Sequence, residues 1–324
     1  MLTYASHRWD LQVERAERPA FVSTRFNASD LTDLYDDNLD ADLAPWRARA
    51  AASPGGKLST PQLVDWARRV AGQGLRNEST LKLVMVKDGR LGFPLESWIK
   101  DEPDKWPNAL FLLNVNDVSM CAPPARDEDI LVPLTTGSAE WTVDTFPFEH
   151  KTSKEWMDRI DVGILTSEST RKVVVDTKTR TVRGAEFMPL REAARFRFTL
   201  ALDGITASFR LAKLLSLNSV VIKQESPWIE WYYRSLSPYG HYVPFWQHSR
   251  DDVLHVIDAL RAQPEDKLQA IANKGQKFAY HYLRPEARKL YWRQALTEYR
   301  KLFGEDMDEY IDKQALPEAP MADA

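Results

Sequence analysis

The chain has 324 residues, of which 44% are hydrophobic and 28% charged, and a formal net charge of −4. That length suffices for one large or two ordinary domains with sizeable cores, and the charge excludes the basic footprint of a nucleic-acid binder. No apolar run approaches the ~20 residues that span a bilayer, and the opening MLTYASHRWDLQVER has no apolar signal-peptide stretch. The single cysteine, Cys121, excludes an intrachain disulfide, so the expectation is a reducing, cytoplasmic setting.

The first recognisable element is an acidic helical stretch over residues 27–50. Pro54, Gly55 and Gly56 mark a loop. Ser59 or Thr60 then caps a helix, PQLVDWARRVAGQGL, with Pro61 at its first position. LKLVMVKDGRLGF reads as a strand, a tight turn at Asp88-Gly89 and a second strand. NALFLLNV (Asn108–Val115) is a buried strand. A domain crossover is expected within WTVDTFPFEHKTSKEW, followed by IDVGILTS and RKVVVDTKTRTVRG. Ser249 and Asp252 suggest a helix-capping arrangement. Helices over about 250–263, 265–282 and 285–303 close the chain, and the last ~15 residues are expected to fray.

The most informative stretch is 196–246. Phe196, Phe198, Leu200 and Leu202 alternate as in a strand, and Asp203-Gly204 then turns the chain. A helix is expected from about Ser208 to Leu217, and SVVIK (Ser219–Lys223) is a second buried strand. Strand, helix, strand in this order gives two parallel strands of one sheet. The turn delivers the chain to a helix N-terminus, a setting that favours anions, with Arg210 in its first turn and Ser208 beside it.

Each candidate has a plainer reading. Asp117 follows an apolar strand, where a general base can sit at a sheet's carboxyl edge, or it simply caps the next turn. Arg210 either meets a diphosphate or is a surface arginine on an amphipathic helix. Asp203 and Gly204 either touch ligand or only shape the turn. Glu225, in KQESPW, can accept hydroxyls through two oxygens, or is an exposed loop acid. Trp228, Trp231, Tyr232 and Tyr233 fit a core better than a sugar platform, and Glu230 belongs on the next helix. Three Asp-x-Asp triplets (40–42, 127–129, 306–308) are the number chance allows among 47 acidic residues, and no zinc spacing is present. No metal is expected.

LALDGITASFRLAKLL, SVVIKQESPWIEWYY and LSPYGHYVPF, in this order and spacing, resemble glycosyltransferase family 90. IANKGQKFAYHYL and YWRQALTEYRKLF resemble its closing helices, so the likeness is good over roughly 186–303. FLLNVNDVS and DILVP resemble the strand that ends in the family's catalytic aspartate and the segment after it. The resemblance implies that Asp117 is that base and that Arg210, Ser208, Asp203, Gly204 and Glu225 lie on the donor side. In DVGILTS, Gly163, Thr166 and Ser167 keep a donor-side motif of the family, while Val162 and Leu165 stand where it has arginines.

The resulting expectation is an α/β, GT-B-like fold with two Rossmann-like domains facing a cleft. Residues 1–145 would form the acceptor side, 146–285 the nucleotide-sugar domain and 286–324 a closing helix and tail. The implied activity is inverting transfer of xylose or glucose from a UDP-sugar to a glycan or other hydroxyl acceptor, with no cofactor and no metal. Val162 and Leu165 incline the donor towards a pentose, since apolar walls leave fewer polar groups unpaired around the smaller sugar. The alternative is a degenerate GT-B fold that binds nucleotide sugar or glycan without transfer, which the two missing arginines favour.

Overall fold

The computed structural model describes residues 28–70, 81–91, 102, 105–114, 164–165, 170–175, 178–185, 190–203, 208, 210–226, 228–247 and 252–314. In chain order, a 3-10 turn (Ala28–Leu31), a short α turn (Thr32–Leu34) and a π turn (Tyr35–Leu39) lead into α1 (Asp40–Ala52). There follow α2 (Thr60–Val70), β1 (Leu81–Lys87), β2 (Arg90–Leu91) and β3 (Ala109–Asn114). Next come β4 (Ile164–Leu165), β5 (Thr170–Val175), β6 (Lys178–Ala185), α3 (Leu190–Ala193), β7 (Phe198–Ala201), α4 (Arg210–Leu215) and β8 (Val220–Gln224). The described chain ends with β9 (Val243–Phe245), α5 (Val253–Arg261), α6 (Glu265–Tyr282), α7 (Pro285–Arg300) and α8 (Asp306–Lys313).

The chain divides into two compact units. One holds residues 142–226 and 236–283 together with 1–24, and the other holds 25–141, 227–235 and 284–324. The second unit is therefore assembled from three separate stretches of sequence.

In the first unit β7, β8 and β9 form a parallel sheet in that order, with Leu200 opposite Ile222 and Ile222 opposite Val243. Every residue of β8 is buried, as a central strand covered on both faces requires. Val220, Ile222, Val243 and Phe245 pack with Leu254 and Ile257 of α5 and Leu268 and Ile271 of α6. Each fully buried aliphatic or aromatic side chain of this kind contributes roughly 1.5–3 kcal/mol. Helix α6 buries Leu268, Ile271, Ala272, Gly275, Phe278 and Ala279, spaced at three and four residues along one face. The same unit carries a second sheet, β4-β6-β5, in which β5 and β6 form a hairpin and β4 pairs parallel to β6.

In the second unit β1 and β2 form the expected hairpin. Asp88 and Gly89 both have positive φ (49° and 67°), the geometry of a two-residue primed turn. β3 also pairs antiparallel with β1, giving the order β2-β1-β3. A Rossmann-like domain is built on parallel pairs, so the described strands of this unit depart from that expectation. Helix α8 packs on β3 and α2. Lys87 at the end of β1 donates to the carbonyls of Ile311, Asp312 and Gln314, satisfying the open C-terminus of α8.

Several local expectations need correction. The helix read over Ser208–Leu217 is helical only over Arg210–Leu215. Asp252 accepts from the backbone amides of Trp246 and Gln247, while Ser249, its expected capping partner, lies outside the described residues. Glu230 precedes a single 3-10 turn (Tyr233–Ser235), not a helix. The Asp-x-Asp triplets within the described residues are engaged in structure. Asp40 pairs with Arg47, Asp42 with Arg234 and Asp308 with Arg300, while Asp306 accepts from the Thr60 amide.

Candidate functional site

The crossover β7–α4–β8 brings two loops to the carboxyl edge of one parallel sheet, the edge at which open α/β sheets hold ligands. Asp203 lies just past β7, and Lys223 and Gln224 end β8. Asp203 Oδ1 accepts from the Ser208 amide at 2.7 Å, and Oδ2 accepts from the Ser226 hydroxyl. The Asp203 amide donates to Gln224 Oε1 at 3.2 Å. Asp203 therefore ties the loop after β7 to the loop after β8, and both of its oxygens are occupied. Of the two roles left open by the sequence, shaping the turn is the one this geometry performs. Burial raises the Asp203 carboxyl above its usual value, against the bonds from Ser226 and Ser208 and the charge of Lys223, which pull it down.

Lys223 is only 6% exposed. Its ammonium donates to the Gln224 carbonyl at 2.9 Å, stands 3.9 Å from Glu225 Oε1 and lies over the Tyr242 ring, 5.5 Å from its centroid. Burial lowers its pKa, while Glu225 and Asp203 act to raise it. Glu225 is half-buried, its backbone anchored by a 2.9 Å bond from its amide to the Phe245 carbonyl, one residue beyond β8. The Tyr242 hydroxyl donates to Glu225 Oε1 at 3.2 Å, and burial, then Glu225, pushes the phenol pKa up.

Arg210 is the first residue of α4 and is exposed. With six residues, α4 aligns few peptide dipoles, so positive charge for an anion here comes from the Arg210 guanidinium more than from the helix. The structure thus gathers Asp203, Ser208, Arg210 and Glu225 around one strand–helix–strand unit. Asp117, Val162, Gly163, Thr166, Ser167 and Gly204 lie outside the described residues, as does Cys121. Leu165 is in β4, opposite Ala185.

Sequence reading placed the KQESPW loop at this edge but gave Lys223, Ser226 and Tyr242 no role there. The available signal was a charged residue closing a run of buried ones, VVIK, which a strand tolerates only where the charge finds partners. The aromatic residues expected in the core behave so in part. Tyr232 is buried, and Trp231 packs on Tyr291, 4.7 Å between ring centroids, and against Tyr232. Among the described residues there is no group of three or more His, Cys, Asp or Glu side chains that could hold a metal. No helix among them is long and apolar enough to cross a membrane.

Comparison with known proteins places this unit in context. An O-glucosyltransferase rumi homolog of Anopheles gambiae is 32% identical over 118 residues, covering 36% of this chain and 30% of that protein. Protein O-glucosyltransferase 1 of Rattus norvegicus is 30% identical over 117 residues, covering 36% and 29%. Protein O-glucosyltransferase 3 of Homo sapiens is 29% identical over 147 residues, covering 45% and 28%. The matched segment is under a third of the length of each of these relatives. The sequence profile described as Glycosyl transferase family 90 matches residues 150–315, just over half of the chain, which includes the whole β7–α4–β8–β9 unit. The chain belongs to glycosyl transferase family 90.

Proposed function

We propose that the protein transfers a glucosyl group from a UDP-sugar to a hydroxyl acceptor, with inversion at the anomeric carbon and without a metal. The observation that carries this is the β7–α4–β8 crossover, which sets Arg210 and Glu225 at the carboxyl edge of a parallel sheet inside the family segment. In the reaction the acceptor oxygen attacks the anomeric carbon as the bond from that carbon to the diphosphate oxygen breaks. Asp117 takes the acceptor proton, and UDP leaves with the bonding electron pair. Arg210 offsets the charge that builds on the diphosphate, and Glu225 meets the ribose hydroxyls. Nucleotide-sugar binding belongs to the unit with the β7–β9 sheet, and acceptor binding to the unit with β1–β3. The donor-unit assignment is supported by the family segment and the sheet edge just described.

Glucose follows the names of the relatives, all O-glucosyltransferases. A pentose is the second reading, on the ground that Val162 and Leu165 replace arginines of the family motif.

The test is binding first, turnover second. UDP should raise the melting temperature of the wild type, since it binds only the folded state. UDP-glucose and UDP-xylose in competition then identify the sugar, with and without EDTA. Arg210→Ala should weaken UDP by about 1.5–3 kcal/mol, the value of a lost bond to a charged group. Asp117→Asn should keep UDP binding and lower transfer by roughly 10²–10⁴. Absence of UDP binding in the wild type, or undiminished transfer by Asp117→Asn, would overturn the proposal. Activity lost in EDTA and restored by manganese would overturn its metal-free form.

A further inference from the structure

We propose that Lys223 and Tyr242 are positioning residues that hold Glu225 by Oε1 and so present Oε2 to a hydroxyl of the donor's ribose. The inference rests on the sugar-nucleotide reading above and adds how the ribose is recognised.

Three observations lead to it. Both side-chain contacts of Glu225 fall on the same atom. Tyr242 Oη donates to Oε1 at 3.2 Å, and Lys223 Nζ stands 3.9 Å from it. Oε2 has no hydrogen-bond partner among the described residues, although a carboxylate oxygen accepts two bonds readily. The second observation is that the clamp is rigid. Lys223 and Tyr242 are both buried, Lys223 is fixed by the Gln224 carbonyl, and the Glu225 backbone is fixed by Phe245. The third is cost. An ammonium at the end of a buried strand loses its hydration, and an aliphatic side chain would fill the position without that loss. What the charge supplies here is a fixed partner for Glu225, with the charge of Asp203 also acting on it.

The consequence is recognition by one oxygen, not the symmetric two-oxygen grip that a free carboxylate gives to a diol. A carboxylate held before the ligand arrives has already lost its rotamer freedom, so its bond to the hydroxyl is stronger in net terms.

The experiment measures dissociation constants of UDP and 2′,3′-dideoxy-UDP for the wild type, Lys223→Met, Tyr242→Phe and Glu225→Ala. Circular dichroism confirms that each variant is folded, and Tyr242→Phe keeps the ring if Lys223→Met does not fold. The wild type should bind UDP tenfold or more above the dideoxy analogue, the effect of a hydrogen bond to a charged group. Glu225→Ala should abolish that preference. Lys223→Met and Tyr242→Phe should shrink it by lowering UDP affinity while leaving dideoxy-UDP affinity unchanged. Equal weakening of both nucleotides would show a structural role only and overturn the inference. A wild type that binds UDP without preferring it to the analogue would overturn it too, leaving the transferase reading intact. A wild type that binds neither nucleotide would overturn both.

Discussion

Two ion pairs, one in each unit, are built to opposite specifications. In the unit containing α1 and α7, Arg234 donates to Asp42 Oδ1 at 2.7 Å, and the Tyr291 hydroxyl reaches Oδ2 at 3.5 Å. The surroundings close around the pair. Asn38, turned inward by the π turn, donates to the Leu34 carbonyl and to the Ser235 hydroxyl, and accepts from the Arg234 amide. Both oxygens of Asp42 are occupied and its side chain is 7% exposed. In the other unit the Lys223–Glu225 pair is longer, at 3.9 Å, and its carboxylate side chain is 36% exposed with one oxygen open. A carboxylate with both oxygens engaged fastens the chain, whereas one held by a single oxygen keeps capacity for a ligand.

The sharpest way to break this contrast is to remove the closed pair. Asp42→Ala leaves Arg234 and Tyr291 without their acceptor, and should destabilise the protein by about 3 kcal/mol, as breaking a buried pair does. Urea denaturation measures it. UDP affinity of the folded fraction should not change; a large loss of affinity would show that the closed pair also serves the ligand.

A smaller effect is expected at Gly275, which packs against the turn that carries Tyr242. A Cβ there would lie 2.7 Å from the His241 carbonyl oxygen and 3.1 Å from Leu215 Cδ2. The glycine lets α6 seat the 237–242 turn that delivers Tyr242 to Glu225. Gly275→Ala should cost about 2 kcal/mol by overpacking, and should lower UDP affinity together with stability. Thermal melting with and without UDP checks both; an unchanged melting temperature would mean the turn moves aside freely.

The smallest effect is a pH dependence in the same turn. His241 Nδ1 accepts from the Ser237 amide at 2.9 Å, and burial, with Lys274 nearby, lowers the imidazole pKa below its usual 6.5. A depressed value means the fold favours the neutral ring. The stability it contributes is present above pH 6.5 and is lost as pH falls through the folded-state value. The gap in melting temperature between wild type and His241→Gln should therefore narrow between pH 7.5 and about 5.5. A gap that stays constant would remove His241 as the sensor.

What the sequence disclosed follows from how local each signal is. The β7–α4–β8 crossover was legible because alternation at Phe198 and Leu200 and the run VVIK are local patterns, and α6 and α7 begin where they were expected, at Glu265 and Pro285. The antiparallel placement of β3 was not legible, because NALFLLNV is equally apolar whichever way its partner runs. Tyr242 could not be linked to Glu225 from spacing, since 17 residues and a 3-10 turn separate them. That Asp252 also accepts from the 246–247 amides was not legible, because loop donors brought in by the fold leave no spacing signal.

The unit containing β1 has a consequence for synthesis. Leu58 pairs with Phe303, and the Lys87 ammonium holds carbonyls at Ile311, Asp312 and Gln314, more than two hundred residues downstream. On the ribosome, β1 and α2 emerge long before these partners exist. The β7–β9 sheet, with α5 and α6, has its whole sequence available by Leu283 and can condense while the rest is still being translated. The β1–β3 sheet and α2 must wait until α7 and α8 arrive. A nascent chain stalled before Arg284 would thus carry a finished β7–β9 sheet beside an unfinished β1–β3 unit.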